Sequence, residues 1–94
     1  MKKIIISRKL LKESEEKALK TFDAKLNSND ELYSQSKLIE LCEGQNAILT
    51  SLTDKMDEET INKLPDTIKV ISNFAVGFGN IDLEAARKRG IAVT

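Results

Sequence analysis

The chain has 94 residues, and its 15 basic residues balance its 15 acidic ones, so the formal net charge is zero at neutral pH. This length fits one small domain, and the balanced charge excludes the strong electrostatic attraction that brings basic proteins to nucleic acid or to an anionic membrane. Histidine is absent, which excludes every mechanism in which this chain alone supplies an imidazole as acid, base or metal ligand.

The first third of the chain predicts a strand, a helix and a second strand. Residues 4–6 are three consecutive isoleucines, a pattern typical of a strand buried on both faces. A stretch with helical periodicity follows, then a weaker apolar run at residues 22–26 and a turn at residues 27–30. The apolar stripe of this first helix is predicted to consist of Leu11, Ala18, Leu19 and Phe22.

The middle of the chain predicts two further helices around a third strand. Ser34 is placed to cap the second helix, which Gly44 ends, and residues 47–49 form the strand. Asp57 begins a short third helix with acidic residues in its first turn, and Pro65 ends it. The residues of the second helix predicted to face inward are Leu38, Ile39, Leu41 and Cys42.

The last third predicts a fourth strand at residues 68–71, a helix at residues 83–89 and a fifth strand at residues 91–94. Asp82 is the expected cap of this helix, and Gly90 occupies the position of a left-handed C-terminal cap. Strands that alternate with helices predict an α/β fold with a parallel sheet and right-handed crossovers. We therefore expect a flavodoxin-like sheet of order 2-1-3-4-5 with helices on both faces, incomplete at its C-terminus.

Three loops are expected at the carboxyl edge of this sheet, where ligands of such folds bind. They are residues 7–9, residues 50–53 and residues 73–79. Glycines at positions 77 and 79 allow main-chain N–H groups to form a concavity for a carboxylate or phosphate. The same glycines also fit an ordinary strand-to-helix turn, and Arg8 and Lys9 fit either an anion site or solvated loop charges.

Several familiar chemistries are excluded by the sequence. No Gly-x-Gly-x-x-Gly fingerprint or phosphate-binding Gly-x-x-x-x-Gly-Lys motif occurs. Thr50 stands where a receiver domain would need its phosphoacceptor aspartate. The single cysteine, Cys42, is expected to be a buried apolar residue, because no histidine is available to activate it. No signal peptide is evident, so a cytoplasmic location is expected.

The residues at positions 70–94 resemble the N-terminal substrate-binding domain of the D-isomer-specific 2-hydroxyacid dehydrogenases, and especially the glyoxylate/hydroxypyruvate reductases. They read VISNFAVGFGNIDLEAARKRGIAVT and contain a Val-Gly-x-x-Asn-Ile-Asp motif followed by a helix. Residues 3–10 and 49–57 are also similar to that family. The resemblance therefore extends from Lys3 to Thr94.

The resemblance implies a binding site for a small 2-oxo or 2-hydroxy acid. It implies that main-chain amides of Val76 and Gly77 hold the substrate carboxylate, and that Ser51 and Leu52 lie beside the substrate. Many members carry an acidic or amide residue where this chain has Gly79, a departure that is expected to loosen the loop. No catalytic, cofactor-binding or metal-binding residue is assigned to this chain.

The resemblance also implies what residues 1–94 do not contain. In that family a dinucleotide-binding domain supplies the NAD or NADP site, an arginine and a glutamate–histidine pair. The leading hypothesis is therefore a partial substrate-binding domain of a dehydrogenase, inactive alone. The alternatives are a stand-alone binding module, one subunit of a split dehydrogenase, and an oligomerisation module that self-associates or forms a homodimer.

Overall fold

The computed structural model describes residues 1–74 and 77–94, in which strands and helices alternate along the chain. The strands are β1 (Lys3–Ile6), β2 (Asp23–Lys25), β3 (Ala47–Ser51), β4 (Val70–Phe74) and β5 (Ala92–Val93). The helices are α1 (Lys12–Thr21), α2 (Gln35–Leu41), α3 (Glu58–Lys63) and α4 (Leu83–Lys88).

The five strands form one parallel sheet in the order β2-β1-β3-β4-β5. This confirms the predicted order 2-1-3-4-5. Ile4 pairs with Ala47, Ala47 with Val70, and Val70 with Ala92, so these residues form one row across the sheet. Because side chains alternate along a strand, this row lies on one face and the next row, which includes Ile5 and Ile48, lies on the other.

The hydrophobic core lies on the face that carries Ile5, Ile48 and Ile71, which are at most 1% exposed. Burial of one such side chain contributes about 2 kcal/mol to the free energy of folding. Helices α2, α3 and α4 cover this face and place their apolar side chains in the same cluster. Those residues are Leu38, Cys42, Ile61, Ala85 and Ala86.

Helix α1 packs on the opposite face and covers only part of it. An open groove remains beside α1, with a cavity of about 800 Å³ above the strands. Helices therefore lie on both faces, as predicted, but three cover one face and one covers the other. Within the described residues, no helix has both the length and the apolar character needed to cross a membrane.

The predicted apolar stripe of α1 is wrong at two positions. Leu11 is the N-cap residue in extended conformation and is 77% exposed, and Leu19 is 50% exposed. The buried residue of this helix is Glu15, whose carboxylate accepts a hydrogen bond from the main-chain N–H of Leu10. Because α1 lies over β1 and β2 at one edge of the sheet, only a narrow stripe of the helix is covered.

The predicted helix caps are confirmed. The side chains of Ser34, Asp57 and Asp82 each accept a hydrogen bond from a main-chain N–H three residues ahead, at 3.1, 2.9 and 3.0 Å. The strand bounds differ more from the prediction. Strand β4 begins at Val70 rather than at Ile68, and it continues through Asn73 to Phe74. Asn73 is consequently a strand residue whose side chain is held at the carboxyl edge of the sheet.

Candidate functional site

The carboxyl edge of the sheet carries a pair of asparagines that bond to each other. The Nδ2 of Asn73, on β4, donates to Oδ1 of Asn80 at 2.9 Å, and the Nδ2 of Asn80 donates to Oδ1 of Asn73 at 3.2 Å. The hydroxyl of Thr50, on β3, also donates to Oδ1 of Asn73 at 2.9 Å. The Nδ2 of Asn73 further donates to the carbonyl oxygen of Gly77 at 3.1 Å. This pair therefore ties residues 77–80 to strands β3 and β4.

Asn80 also joins this loop to the segment that follows β3. Its Nδ2 donates to the carbonyl oxygens of Ser51 and Asp54 at 3.0 and 2.9 Å. The two segments then pair through their main chains, because the N–H of Met56 donates to Asn80 O and the N–H of Asp82 donates to Met56 O, both at 2.8 Å. The loops before α3 and α4 are thus joined by side-chain and main-chain bonds.

A buried carboxylate organises the turn after β3. Asp54 is 4% exposed, and its Oδ2 accepts hydrogen bonds from the N–H of Ser51 at 2.8 Å and from the hydroxyl of Ser51 at 3.2 Å. The hydroxyl of Ser7, which is fully buried at the end of β1, donates to the same oxygen. Hydrogen bonds of this kind offset the desolvation of a buried carboxylate. Asp54 therefore connects the ends of β1 and β3.

Arg8 is engaged by another part of the chain rather than held ready for a ligand. Its guanidinium makes a two-bond contact with the carboxylate of Asp30, at 2.8 and 3.1 Å, and Nη1 donates to Thr53 Oγ1 at 2.9 Å. This contact and the main-chain N–H of Lys9 lower the pKa of Asp30 to about 2. The Nζ of Lys9 lies 3.6 Å from the carboxylate of Glu15. Both cations are therefore partnered within the chain.

Of the four residues predicted to contact a substrate, three can be located. Gly77 is exposed, has φ of +78°, and has no atom within 4 Å of the position that a Cβ would take. Ser51 is half-buried and lies in the same hydrogen-bond network as Gly77. Leu52 is 68% exposed at the same edge. Val76 lies outside the described residues. Their contacts with a substrate remain a prediction.

The residues that organise this edge were not singled out by the sequence reasoning. Asn73 lies in the predicted loop 73–79, whereas Asn80 and Asp54 enter the sequence analysis only within the stretches that resemble the family. The available signal is the sequence Ser51-Leu52-Thr53-Asp54, since serine and aspartate side chains often bond to nearby main-chain groups in turns. The asparagine pair has no comparable local signal, because it joins a strand to a loop.

Two cavities differ in size and position, and the larger of the two does not lie at this edge. The 800 Å³ groove on the α1 face is larger than the hollow of about 220 Å³ between the loops before α3 and α4. Residues 55–57 and 79–82 line the smaller hollow. Within the described part of the chain, no three histidine, cysteine, aspartate or glutamate residues are grouped to hold a metal ion. Cys42 is a buried thiol, and its burial raises the pKa to about 12.

Comparison with known proteins shows a consistent similarity along the chain. Residues 4–94 match the family described as D-isomer specific 2-hydroxyacid dehydrogenase, catalytic domain. The chain is 34% identical over 92 residues to a glycerate dehydrogenase of Hyphomicrobium methylovorum, covering 98% of this chain and 29% of that protein. It is also 34% identical over 92 residues to a glyoxylate reductase of Thermococcus litoralis, covering 98% of this chain and 28% of that protein.

The fold is likewise similar to solved structures. A Polaromonas chain described as a D-isomer specific 2-hydroxyacid dehydrogenase, NAD-binding, superposes with a TM-score of 0.93 at 28% identity. The superposition covers 99% of this chain and 29% of that chain. The chain therefore spans less than a third of the length of the relatives that it matches.

Proposed function

The chain belongs to the D-isomer specific 2-hydroxyacid dehydrogenase family, and we propose that it provides part of a binding site for the carboxylate of a small 2-oxo or 2-hydroxy acid. The proposal assigns the carboxylate to the main-chain amides of Val76 and Gly77. It places Ser51 and Leu52 beside the acid. No residue of the chain is assigned a catalytic role.

The observation that carries the proposal is the attachment of Gly77 to strand β4. Asn73 holds the carbonyl oxygen of Gly77 at 3.1 Å, and Asn80 holds the neighbouring segment through Ser51 and Asp54. The bond to the Gly77 carbonyl oxygen orients the peptide plane that carries the N–H of Phe78, and it anchors the loop beside the Gly77 N–H. A main-chain segment that is anchored before the ligand arrives binds an anion better, because less ordering cost is paid on binding. The exposed, positive-φ main chain at Gly77 supports an approach by a carboxylate.

The chain alone is expected to bind such an acid weakly. The guanidinium of Arg8 is engaged with Asp30, and the proposal therefore relies on neutral N–H donors. Without a cation, hydrogen bonds to an exposed carboxylate compete directly with water. We expect a dissociation constant on the order of millimolar.

The described residues do not fit a dinucleotide. The loop after β1 reads Ser7-Arg8-Lys9-Leu10-Leu11 and contains no glycine, so it cannot bring its main chain close to a pyrophosphate as a dinucleotide fold does. The large cavity is floored by apolar strand side chains rather than by polar groups. NAD or NADP therefore enters the proposal only through a dinucleotide-binding domain outside residues 1–94. Transfer of a hydride is likewise assigned to a full-length enzyme that includes such a domain, and not to residues 1–94.

A titration of the isotope-labelled chain with glyoxylate tests the proposal. We expect the amide resonances of Gly77 and Ser51 to shift and to saturate in the millimolar range. Acetate, which lacks the oxo group, and glycolaldehyde, which lacks the carboxylate, are the ligand controls. Shifts of equal size with glycolaldehyde, or no shift at Gly77 with glyoxylate, would contradict a carboxylate site.

A matched pair of glycine variants completes the test. Gly77 and Gly90 have φ of +78° and +70°, and neither has an atom within 4 Å of an added Cβ. Gly77→Ala and Gly90→Ala therefore introduce similar backbone strain, of about 1 kcal/mol. Only Gly77→Ala should abolish the glyoxylate-induced shifts. Equal loss in both variants would assign the effect to stability rather than to the site.

A further inference from the structure

A row of three side-chain hydrogen bonds runs along the carboxyl edge of the sheet, from a cation to a buried anion. Nη1 of Arg8 bonds to Oγ1 of Thr53 at 2.9 Å, and this oxygen bonds to Oγ of Ser51 at 2.9 Å. Oγ of Ser51 bonds in turn to Oδ2 of Asp54 at 3.2 Å. The row therefore passes through Ser51, one of the residues assigned to the carboxylate site.

The two ends of the row fix the direction of every bond in it. A guanidinium only donates hydrogen bonds, and a carboxylate only accepts them. Arg8 therefore donates to Thr53, and the proton of Thr53 is left for Ser51. The proton of Ser51 points to Asp54, because the opposite direction would set a lone pair against the carboxylate oxygen with no proton between them. Both hydroxyls consequently donate toward Asp54.

Both ends of the row are held by contacts that do not involve a ligand. The guanidinium of Arg8 makes two further bonds to the carboxylate of Asp30, at 2.8 and 3.1 Å. Asp54 is 4% exposed and also accepts a hydrogen bond from the hydroxyl of Ser7. Hydrogen bonds in such a row polarise one another. Ser51 therefore meets a ligand with its proton already committed.

The hydroxyl of Ser51 keeps one hydrogen-bonding position for a ligand, and that position is an acceptor. A serine oxygen carries one proton and two lone pairs. The proton is used on Asp54 and one lone pair on Thr53, which leaves the second lone pair. Ser51 is half-buried, and its bond to Thr53 lies at an exposed position, so a ligand at this edge can reach the oxygen.

We propose that Oγ of Ser51 accepts a hydrogen bond from a hydroxyl group of the bound acid, so that the site prefers an acid whose carboxylate is accompanied by a hydroxyl donor. The inference rests on the proposed function, because the amide of Gly77 must hold the carboxylate. A carboxylate has no proton to give to Ser51, so the two polar ends of the acid are assigned to different positions. An oxo or ether oxygen would bring its lone pair against that of Ser51.

The two positions belong to adjoining loops. Ser51 pairs with Phe74 in the sheet, and neighbouring strands are about 4.8 Å apart. Gly77 follows shortly after Phe74, and the bond from Asn73 to its carbonyl oxygen holds it to β4. Asn80 bonds to the carbonyl oxygen of Ser51 and to the side chain of Asn73. The arrangement therefore suits an acid that carries its hydroxyl close to its carboxylate.

Glycolate, methoxyacetate and acetate separate the role of the ligand's proton from that of its carboxylate. Glycolate donates from its hydroxyl, methoxyacetate has an ether oxygen that only accepts, and acetate has neither group. In NMR titrations of the isotope-labelled chain, we expect glycolate to bind about fivefold more tightly than acetate, and methoxyacetate to bind no more tightly than acetate. Equal affinity for glycolate and methoxyacetate would overturn the inference.

The amide resonance of Gly77 reports separately on the proposed function. If all three acids shift it with equal dissociation constants, the carboxylate site stands and the inference is wrong. If none of the acids shifts it, the carboxylate site is absent and the inference fails with it. The two failures are therefore distinguishable in one experiment.

A pair of serine variants locates the preference for a hydroxyl. Ser51→Ala should remove the difference in affinity between glycolate and acetate, because it removes the acceptor. Ser36→Ala, at an exposed position on α2, is the matched control and should retain the difference. Thermal melting confirms that both variants are folded. A preference for glycolate that survives Ser51→Ala would overturn the inference.

Discussion

Asn73 and Asn80 exchange hydrogen bonds through their side-chain amides, and each uses its remaining bonds on a different part of the chain. Asn73 reaches Gly77, and Asn80 reaches Ser51 and Asp54. Gly77 and Ser51, two of the residues assigned to the carboxylate site, are thereby each bonded directly to this pair. The pair is consequently the natural target for experiments on both stability and binding.

Replacement of Asn80 by alanine should lower the free energy of unfolding by about 2–3 kcal/mol. It leaves the carbonyl oxygens of Ser51, which is half-buried, and of Asp54, which is buried, without their donor. Urea denaturation measures the change. Asn62→Ala, at an exposed position on α3, is the control and should change the free energy by less than about 0.5 kcal/mol. Equal effects of the two substitutions would show that the amide network contributes little.

Replacement of Ser7 by alanine should destabilise the chain by about 1 kcal/mol, since Asp54 then loses its donor from β1 and keeps those from Ser51. Asp54→Ala should cost more, because it removes the acceptor of all three donors. Denaturation of the two single variants and the double variant measures the coupling. Additive effects would contradict a direct bond between the two side chains.

The Arg8–Asp30 contact predicts a loss of stability in acid. The pKa of Asp30 is lowered from 3.8 to about 2, first by the side-chain bond from Arg8 and then by the N–H of Lys9. Because this pKa is lower in the folded chain than in the unfolded chain, the ionised Asp30 stabilises the fold at pH values above about 4. That stabilisation is lost progressively as the pH falls from about 4 through about 2. Because the residues are exposed, the effect should be small and reduced by salt.

Carbon-13 NMR of the Asp30 carboxyl group measures its titration directly, and Arg8→Gln should return the pKa toward 3.8. Asp30→Asn is the matching stability variant, since Asn tolerates the φ of +50° at this position. Its denaturation midpoint should be lower than that of the unmodified chain at pH 6, and this difference should shrink as the pH falls through about 2. A difference in midpoint that does not change between pH 6 and pH 2 would contradict the assignment.

Cys42 should not react with thiol reagents in the folded chain. It is fully buried, and burial raises its pKa to about 12, so thiolate is scarce at neutral pH. Modification by iodoacetamide at pH 8 should be slow in buffer and rapid in guanidinium chloride. Rapid modification of the folded chain would indicate frequent opening between α2 and the sheet.

The purified chain should not oxidise NADH or NADPH in the presence of glyoxylate or hydroxypyruvate. It contains no histidine, and its described residues do not fit a dinucleotide. Absorbance at the nicotinamide band measures turnover, with a full-length glyoxylate reductase as the positive control. If NADH or NADPH oxidation copurifies with the chain through two columns, the catalytic residues must lie within the chain, and this prediction is wrong.

The strand order and the helix caps were accessible from the sequence because both depend on local patterns. Ser34, Asp57 and Asp82 cap helices through bonds to residues three positions ahead, and alternating strands and helices leave few parallel topologies. The stripe of α1 was not accessible in this way. The exposure of Leu19 depends on how far the helix overlaps the sheet. The spacing of apolar residues along the sequence does not contain that information.

The candidate site was only partly predictable for a related reason. Gly77 was recognisable because glycine marks a positive φ locally. The bond from Asn80 to Ser51, by contrast, joins residues that are 29 positions apart. An asparagine in a loop ordinarily indicates a turn or an exposed position. The hydrogen-bond partners of Asn80 can be identified only from the three-dimensional arrangement of the strands and loops.

The main-chain pairing of Met56 with Ile81 has a consequence for motion. Asp57 and Asp82, which begin α3 and α4, adjoin this bridge. Neither helix can therefore separate its first turn from the sheet without breaking bonds that also hold the other. The amides of Met56 and Asp82 should therefore exchange their hydrogens at a common rate, because a single opening event exposes both to solvent.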